Sequence, residues 1–292
     1  MLTDINNVPI DIALKKNGYV IVDNLITEEQ LPTLKEACER IINKARSGEW
    51  KHRRLVGTQF PPWTEGDDVW GVQHVLHPDL NEKVFMEWYG SDTLLAAICQ
   101  LLDTSRENLQ FELFNLLINP QDHDFDLTWH RDSIPAEVSP EEEKKLLTVP
   151  HHGTQWNTAL YDDDCLYVVP NSHRRIRTPE ELDITINDPK SHNMPGQLRV
   201  ALKPGQTVFY DSNILHRAAY FSTKKRATLH ASMGTVDGGY HRAKTMFQHG
   251  LDWMNTDAFK ESLADSLKIP FANTQAMAAG AGLDTLESQP IH

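Results

Sequence analysis

Arg226-Ala227-Thr228-Leu229-His230-Ala231-Ser232-Met233 alternates polar and apolar residues without a break. Successive side chains of an extended strand point to opposite faces, so Arg226, Thr228, His230 and Ser232 share one face and the four apolar residues the other. Such a strand either lies on the outside of a sandwich with its polar face in water, or lines a cavity with it. The chain around it has the same texture. Phe111 to Ile118, Trp156 to Tyr161, Leu166 to Val169, Gln197 to Leu202 and Thr207 to Tyr210 are short runs rich in β-formers, separated by turn residues. Many short strands punctuated by Pro and Gly argue for a double-sheet β-structure rather than alternating βα units.

The first third reads differently. Gly18-Tyr19-Val20-Ile21-Val22 is one short β-rich run, after which Thr27 and Gln30 form a capping-box signal. Leu31, Leu34, Cys38 and Ile41 or Ile42 then recur at helical spacing. A second helix is expected over Asp92 to Leu102, with Leu94, Leu95, Ile98, Leu101 and Leu102 as its apolar face. The expected fold is therefore mainly β with flanking helices: a jelly-roll core, buttressed by N-terminal helices. No Pro/Gly/Ser linker divides the chain, so 1–292 reads as a single domain, with the helical buttress over about 1–105, the core over about 106–245 and a tail over about 246–292. Residues 134–150, with Glu141-Glu142-Glu143-Lys144-Lys145, read as a solvated helix or polar insertion, and the Ala/Gly-rich tail after Pro270 as a low-complexity segment.

A formal net charge of −13 excludes non-specific attraction to nucleic acid or anionic lipid as a basis of function, and points to a small-molecule substrate. Cys38, Cys99 and Cys165 are widely spaced and lack a C-x-x-C pattern, so neither a disulfide framework nor a thiolate metal site is indicated. No stretch reaches the length of a membrane span. The first residues resemble neither a secretory signal nor a transit peptide, and Gln289-Pro290-Ile291-His292 is not a peroxisomal address, so the cytoplasm is the expected compartment. A homodimer stays open.

His130-Arg131-Asp132 has the form His-x-Asp, in which residues i and i+2 of an extended segment can grip one ion while Arg131 points away. Alone it is weak, because fourteen histidines make about one such match by chance, and His77-Pro78-Asp79 is a second. Pro78 is awkward in a central strand, and Asp79 with Glu82 reads as a helix cap. The third ligand must come from another strand. His216 follows Pro204-Gly205 and the run Thr207 to Tyr210, which would carry it towards the sheet's end. Two imidazoles and a carboxylate form a facial triad for Fe(II) with positions open for a cosubstrate and dioxygen. Arg226, ten residues beyond His216, offers a fork for a carboxylate. A zinc enzyme with the same ligands is the competing reading, and leaves Arg226 without a task.

Taken in order, these segments resemble the phytanoyl-CoA dioxygenase family of Fe(II)/2-oxoglutarate-dependent oxygenases. Asn17-Gly18-Tyr19-Val20-Ile21-Val22 with Ile26-Thr27-Glu28-Glu29-Gln30-Leu31 is similar to its N-terminal strand and helix, and Thr128-Trp129-His130-Arg131-Asp132 to its metal motif. Leu166-Tyr167-Val168-Val169-Pro170-Asn171-Ser172-His173 is similar to its Pro-Gly-Ser-His turn, and Lys203-Pro204-Gly205-Gln206 through His216 and Arg226 to its distal histidine and cosubstrate arginine. The resemblance implies a double-stranded β-helix, with His130, Asp132 and His216 holding iron. It also implies Arg226 on the distal carboxylate of 2-oxoglutarate and a further cosubstrate contact from Thr158. The implied reaction consumes dioxygen, decarboxylates 2-oxoglutarate to succinate and CO2, and oxidises an unactivated C–H bond. Halogenating relatives lack the metal carboxylate, so Asp132 implies hydroxylation, desaturation or a related oxidation.

Three departures stand out: Asn171 in place of Gly, an acidic Asp162-Asp163-Asp164-Cys165 where the family has a longer loop with Asn-Gly, and Arg217-Ala218 after His216. Substrate contacts are expected from Trp70 and Gln73, within an irregular cluster with Trp63, Gly71, Val72 and His74 that reads as a lid or as a core seal. Trp129 and Tyr240 carry the same two readings, and Trp129 joins Trp70 and Gln73 as a candidate contact. No Lys/Arg cluster suits the phosphates of coenzyme A, which favours a free small molecule over an acyl-CoA. A binding protein that keeps the ligands as a relic is the rival outside enzymes.

Overall fold

The computed structural model describes residues 1–57, 59, 66–239, 242 and 249–280. Among them, β1 (Tyr19–Val22), β9 (Thr207–Tyr210), β6 (Gly153–Ala159), β11 (Ala227–Thr235), β4 (Leu109–Ile118), β3 (Val69–Val72) and β2 (Arg53–Leu55) lie side by side in one sheet. A second sheet has the order β5 (Phe125–Asp126), β10 (His216–Tyr220), β7 (Leu166–Val168) and β8 (Leu198–Arg199). Every pairing is antiparallel. This is the expected jelly roll. Two apolar clusters join the sheets: Leu166, Val168, Val208 and Tyr210 at one end, and Trp70, Leu117, Phe125 and Tyr220 at the other.

The larger core lies on the outer face of the long sheet, under the helices. Strict alternation in β11 sends Leu229, Ala231 and Met233 into it. In β4 a bulge opposite Ala231/Met233 inserts one residue, which brings Phe111 and Phe114, three apart in sequence, into the same core. Helices α1 (Ile10–Asn17), α2 (Gln30–Arg46), α3 (Lys83–Tyr89) and α4 (Asp92–Leu102) are laid over this face. The capping box forms as expected, with Thr27 Oγ1 accepting from Gln30 N at 3.2 Å and Gln30 Oε1 from Thr27 N at 3.1 Å.

Two expectations are corrected. The segment after Pro270 is not a featureless tail: α8 (Lys268–Gly280) follows α7 (Asp257–Ser262) and docks on β4, with Thr274 Oγ1 donating to Phe111 O at 2.7 Å. Its Ala residues favour helix and bury Met277 and Ala278, whereas 281–292 fall outside the described residues. Nor is α5 (Pro140–Leu146) merely solvated, because Glu143 is 1% exposed and lies between Arg131 and Arg177. Helix α6 (Pro179–Asn187) completes the set, its capping box joining Thr178 and Glu181.

Gly18 ends α1 in the left-handed region at φ 80°, and a Cβ there would lie 2.5 Å from His173 Nδ1. Gly18→Ala is therefore expected to destabilise by roughly 2–4 kcal/mol in urea unfolding, combining backbone strain with overpacking. Gly48 has a similar φ of 83°, but its nearest neighbour is the tip of Arg53 at 4.0 Å. Gly48→Ala should carry only the backbone cost, roughly 1 kcal/mol.

A candidate metal centre

His130 and His216 face each other across the mouth between the sheets. The peptide of each bonds the other, His130 N to His216 O at 3.0 Å and His216 N to His130 O at 3.1 Å, and their ring centroids are 4.2 Å apart. The run Thr207 to Tyr210 does not itself deliver His216. A turn intervenes, and His216 opens β10. Asp132 is set by its N–H on Ser212 O at 2.9 Å. Its Oδ1 lies 3.4 Å from His130 Nε2 and 3.6 Å from His216 Nε2. Ligands each about 2.1 Å from one ion and at right angles would be roughly 3 Å apart, so a small inward adjustment closes this set on a divalent metal. Among the described residues these are the histidine, cysteine and carboxylate side chains so clustered, with ligand atoms within 4.8 Å of one another.

The surroundings orient the ligands. Nδ1 of His130 lies 2.7 Å from Thr128 O and Nδ1 of His216 2.9 Å from Ile214 O, which places the N–H on Nδ1 and turns both Nε2 lone pairs to the centre. The Gln155 amide donates to Asp132 Oδ2, leaving Oδ1 for a metal. Gln59 Oε1 accepts from Thr128 N at 2.8 Å, bracing the motif from the other side. Between the ligands, Arg131 points away as expected, donating to Glu143 at 3.0 Å, Ser172 O at 2.8 Å and Arg175 O at 2.9 Å. Burial and the neighbouring His130 push His216 down to about 4, so it is a neutral ligand at neutral pH. Burial opposes ionisation of Asp132, yet His216, His130 and Gln155 hold its carboxyl well below the usual range.

A cavity of about 220 Å³ opens from this centre, lined by Trp70, Gln155, Asn157, Tyr220, Arg226 and His230 among others. The polar face of β11 therefore lines a cavity. Arg226 is buried, with Nε on Asp163 Oδ2 at 2.9 Å, its guanidinium 4.6 Å from the Tyr220 ring centroid, and Nη1 without a hydrogen-bond partner among the described residues. Burial disfavours both charges, but each holds the other ionised, Asp163 below and Arg226 above the ordinary value. A buried guanidinium nitrogen left unpaired costs free energy until an acceptor arrives. Nη1 and the Tyr220 hydroxyl, both at this cavity, have no hydrogen-bond partner among the described residues and can meet an acceptor that enters it.

At the other wall, Arg242 forks onto the buried Glu112 and also donates to His151 Nε2 at 2.9 Å. Three glycines make room for these groups. A Cβ at Gly153 would meet Arg242 Cζ at 2.4 Å, at Gly238 Arg242 Cβ at 2.8 Å, and at Gly234 Glu112 Oε1 at 2.4 Å.

Other expected site residues lie elsewhere. Thr158 alternates with Asn157 along β6, so its hydroxyl faces away and pairs with Thr207 Oγ1 at 2.7 Å. Asn157 takes the inward place, its Oδ1 2.9 Å from His230 Nδ1. Core burial of Trp156 carried that parity, since 156 and 158 share a face. Trp129 packs with Val169, Met194 and Leu215 behind the site, donating to Ser191 O at 2.9 Å, with the buried Arg217 over its ring. Gln73 is buried beside Trp50 and does not line the cavity. Trp70 does line it. Trp63 and Tyr240 lie outside the described residues. His77 Nδ1 accepts from Asp79 N at 3.1 Å and caps the turn Pro78–Leu80, so this match is structural as expected, although the cap is His77 and not the expected pair of Asp79 and Glu82. Asn171 adopts φ 65°, so the departure from Gly is accommodated.

Burial also pushes His151 and His230 down to about 3 and His249 to about 4. An unfolded chain takes these protons near pH 6.5, so between pH 6.5 and 4 it binds more protons than the folded one. Stability of the metal-free protein should therefore fall as pH drops through that window, seen as a lower urea midpoint at pH 5 than at pH 7.

Fold and site together define a jelly-roll protein with a His/Asp/His group that could hold a metal and a buried arginine in the same cavity. The sequence model of the phytanoyl-CoA dioxygenase family matches residues 14–228, and the chain belongs to that family. Its class is that of non-haem Fe(II)/2-oxoglutarate-dependent enzymes. No curated protein sequence matches the chain. Solved structures with this fold include AviO1 from Streptomyces viridochromogenes Tue57, 15% identical, covering 77% of this chain and 93% of that one at a TM-score of 0.57. EctD from S. alaskensis, solved with 2-oxoglutarate and 5-hydroxyectoine, is 15% identical over 78% of this chain and 75% of its own, with a TM-score of 0.54. The non-heme alpha ketoglutarate dependent epimerase SnoN from nogalamycin biosynthesis is 15% identical over 78% and 81%, at 0.50. No helix among the described residues is long and apolar enough to cross a membrane.

Proposed function

We propose that this protein oxidises an unactivated C–H bond of a small molecule, by hydroxylation or a related oxidation, coupled to conversion of 2-oxoglutarate and dioxygen to succinate and CO2. The observation that carries the reading is one cavity holding both the His130/Asp132/His216 face and the unpartnered Nη1 of Arg226. Fe(II), when bound, supplies the dioxygen chemistry; the chain supplies ligation, orientation and exclusion of water. His130, Asp132 and His216 would hold the metal. Arg226 and Tyr220 would orient the cosubstrate by its distal end. Leu117, Leu127 and Trp70 give the wall an apolar stretch for substrate.

A free small molecule fits better than an acyl-CoA: of the three cavity arginines among the described residues, Arg226 and Arg242 are each tied to a buried carboxylate and Arg54 packs over the Trp70 ring, which leaves no cluster for phosphates. We place the activity in the cytoplasm. The test is anaerobic addition of Fe(II) and 2-oxoglutarate to metal-free protein, following the visible charge-transfer band of the chelated 2-oxo acid. Wild type should show it, and Arg226→Ala should need at least roughly ten-fold more 2-oxoglutarate, as for loss of a charge-assisted pair. Iron left unbound, with no band, would support the relic binding protein instead.

A further inference from the structure

Asp162-Asp163-Asp164-Cys165 is an acidic run, and Asp163 is its residue that reaches the site through Arg226. Both oxygens of its buried carboxylate are engaged. Oδ1 accepts from Cys165 N at 2.9 Å, and Oδ2 from Arg226 Nε at 2.9 Å and from the Thr228 hydroxyl. Its backbone is fixed too, N–H to Leu202 O at 3.0 Å and O from Leu202 N at 2.7 Å. The carboxylate therefore stays in place when a ligand enters. The flanking acids are occupied elsewhere, Asp162 with Lys203 at 3.3 Å and Asp164 with Arg199 at 2.8 Å.

Arg226 thus meets the cavity with its charge already balanced. What it still offers is a hydrogen bond from Nη1, beside the Tyr220 hydroxyl. A carboxylate arriving there feels attraction to the guanidinium and repulsion from Asp163 across its width, both strengthened by burial. A hydrogen-bond donor serves a carboxamide or a carboxylate alike, whereas an unbalanced arginine strongly favours the anion.

We propose that Asp163 attenuates cosubstrate binding, turning Arg226 from an unbalanced cation into a charge-balanced hydrogen-bond donor that tolerates 2-oxo acids with an uncharged distal end, while Arg54, over the Trp70 ring at 5.3 Å, is the other guanidinium lining this part of the cavity. This rests on the reading of Arg226 as the cosubstrate arginine. The test titrates anaerobic Fe(II)-loaded protein with 2-oxoglutarate and with 2-oxoglutaramate, its distal amide, reading the charge-transfer band of each complex. Wild type should prefer 2-oxoglutarate by less than roughly ten-fold, because the ion pair removes most of the charge term. Asp163→Asn, which keeps an acceptor for Arg226 Nε, should bind 2-oxoglutarate roughly ten-fold tighter with the amide unchanged. A larger wild-type preference overturns the proposal without any variant, and that ratio decides alone if the variant does not fold. Band formation by a folded Asp163→Asn with no tightening also overturns it, while leaving the cosubstrate reading intact. No band in iron-loaded wild type with either acid overturns both.

Discussion

Asp132→Ala is expected to reduce substrate-dependent turnover by more than roughly 10³-fold, to background, because it leaves the proposed Fe(II) site one anionic ligand short of the facial triad. Iron retained after desalting should fall with it. Stability should not. In the metal-free protein the Asp132 side chain is still 29% exposed, between two imidazoles and the Gln155 amide, so removing it loses only partly solvated contacts. A thermal melt within a few degrees of wild type, together with lost turnover, would separate a ligand from a structural residue. Asp79→Ala is the control. It alters the other His-x-Asp match, at a side chain 79% exposed, and both turnover and melting should be unchanged.

Glu143→Ala is expected to cost roughly 3–5 kcal/mol in urea unfolding, the range for breaking a buried charge cluster on one side. Glu143 is 1% exposed and takes Arg131 Nε at 3.0 Å, Arg177 Nε at 3.1 Å and Arg177 N at 3.2 Å. Its loss leaves two buried guanidinium groups short of their shared anion. Since Arg131 stands between two metal ligands, Fe(II) affinity should weaken as well, measurable by competition with a chelator. A surface change on the same helix, Glu141→Ala, should move neither quantity beyond about 0.5 kcal/mol.

The parts of this protein that the chain order reveals are those that depend on local periodicity. Thr27 and Gln30, the face of α4 and the alternation of β11 each carry their signal within a few residues, and each stands where the pattern put it. His130, Asp132, His216 and Arg226 could be singled out because few polar residues of the right type occur in that order, and the fold brings all four to one cavity. Thr158 failed by one position. A motif resemblance does not carry strand parity unless a core neighbour such as Trp156 is used to set it. Gln59, Gln155 and Glu143 left no signal, because their partners lie 69, 23 and 12 residues away and only the fold brings them together. Trp129 misled for the opposite reason: nearness in sequence to His130 says nothing about which side of the strand its ring takes.

Glu112 and Arg242 are 130 residues apart, yet each is the other's buried counter-ion. During synthesis the central strand holding Glu112 leaves the ribosome long before its partner exists. Until residue 242 emerges, burying that strand would bury a carboxylate without its counter-ion, at a cost of several kcal/mol. Closure of the catalytic barrel is in this way tied to completion of the chain: a product truncated before Arg242 would retain all three metal ligands and still lack the charge that lets the sheet around them settle.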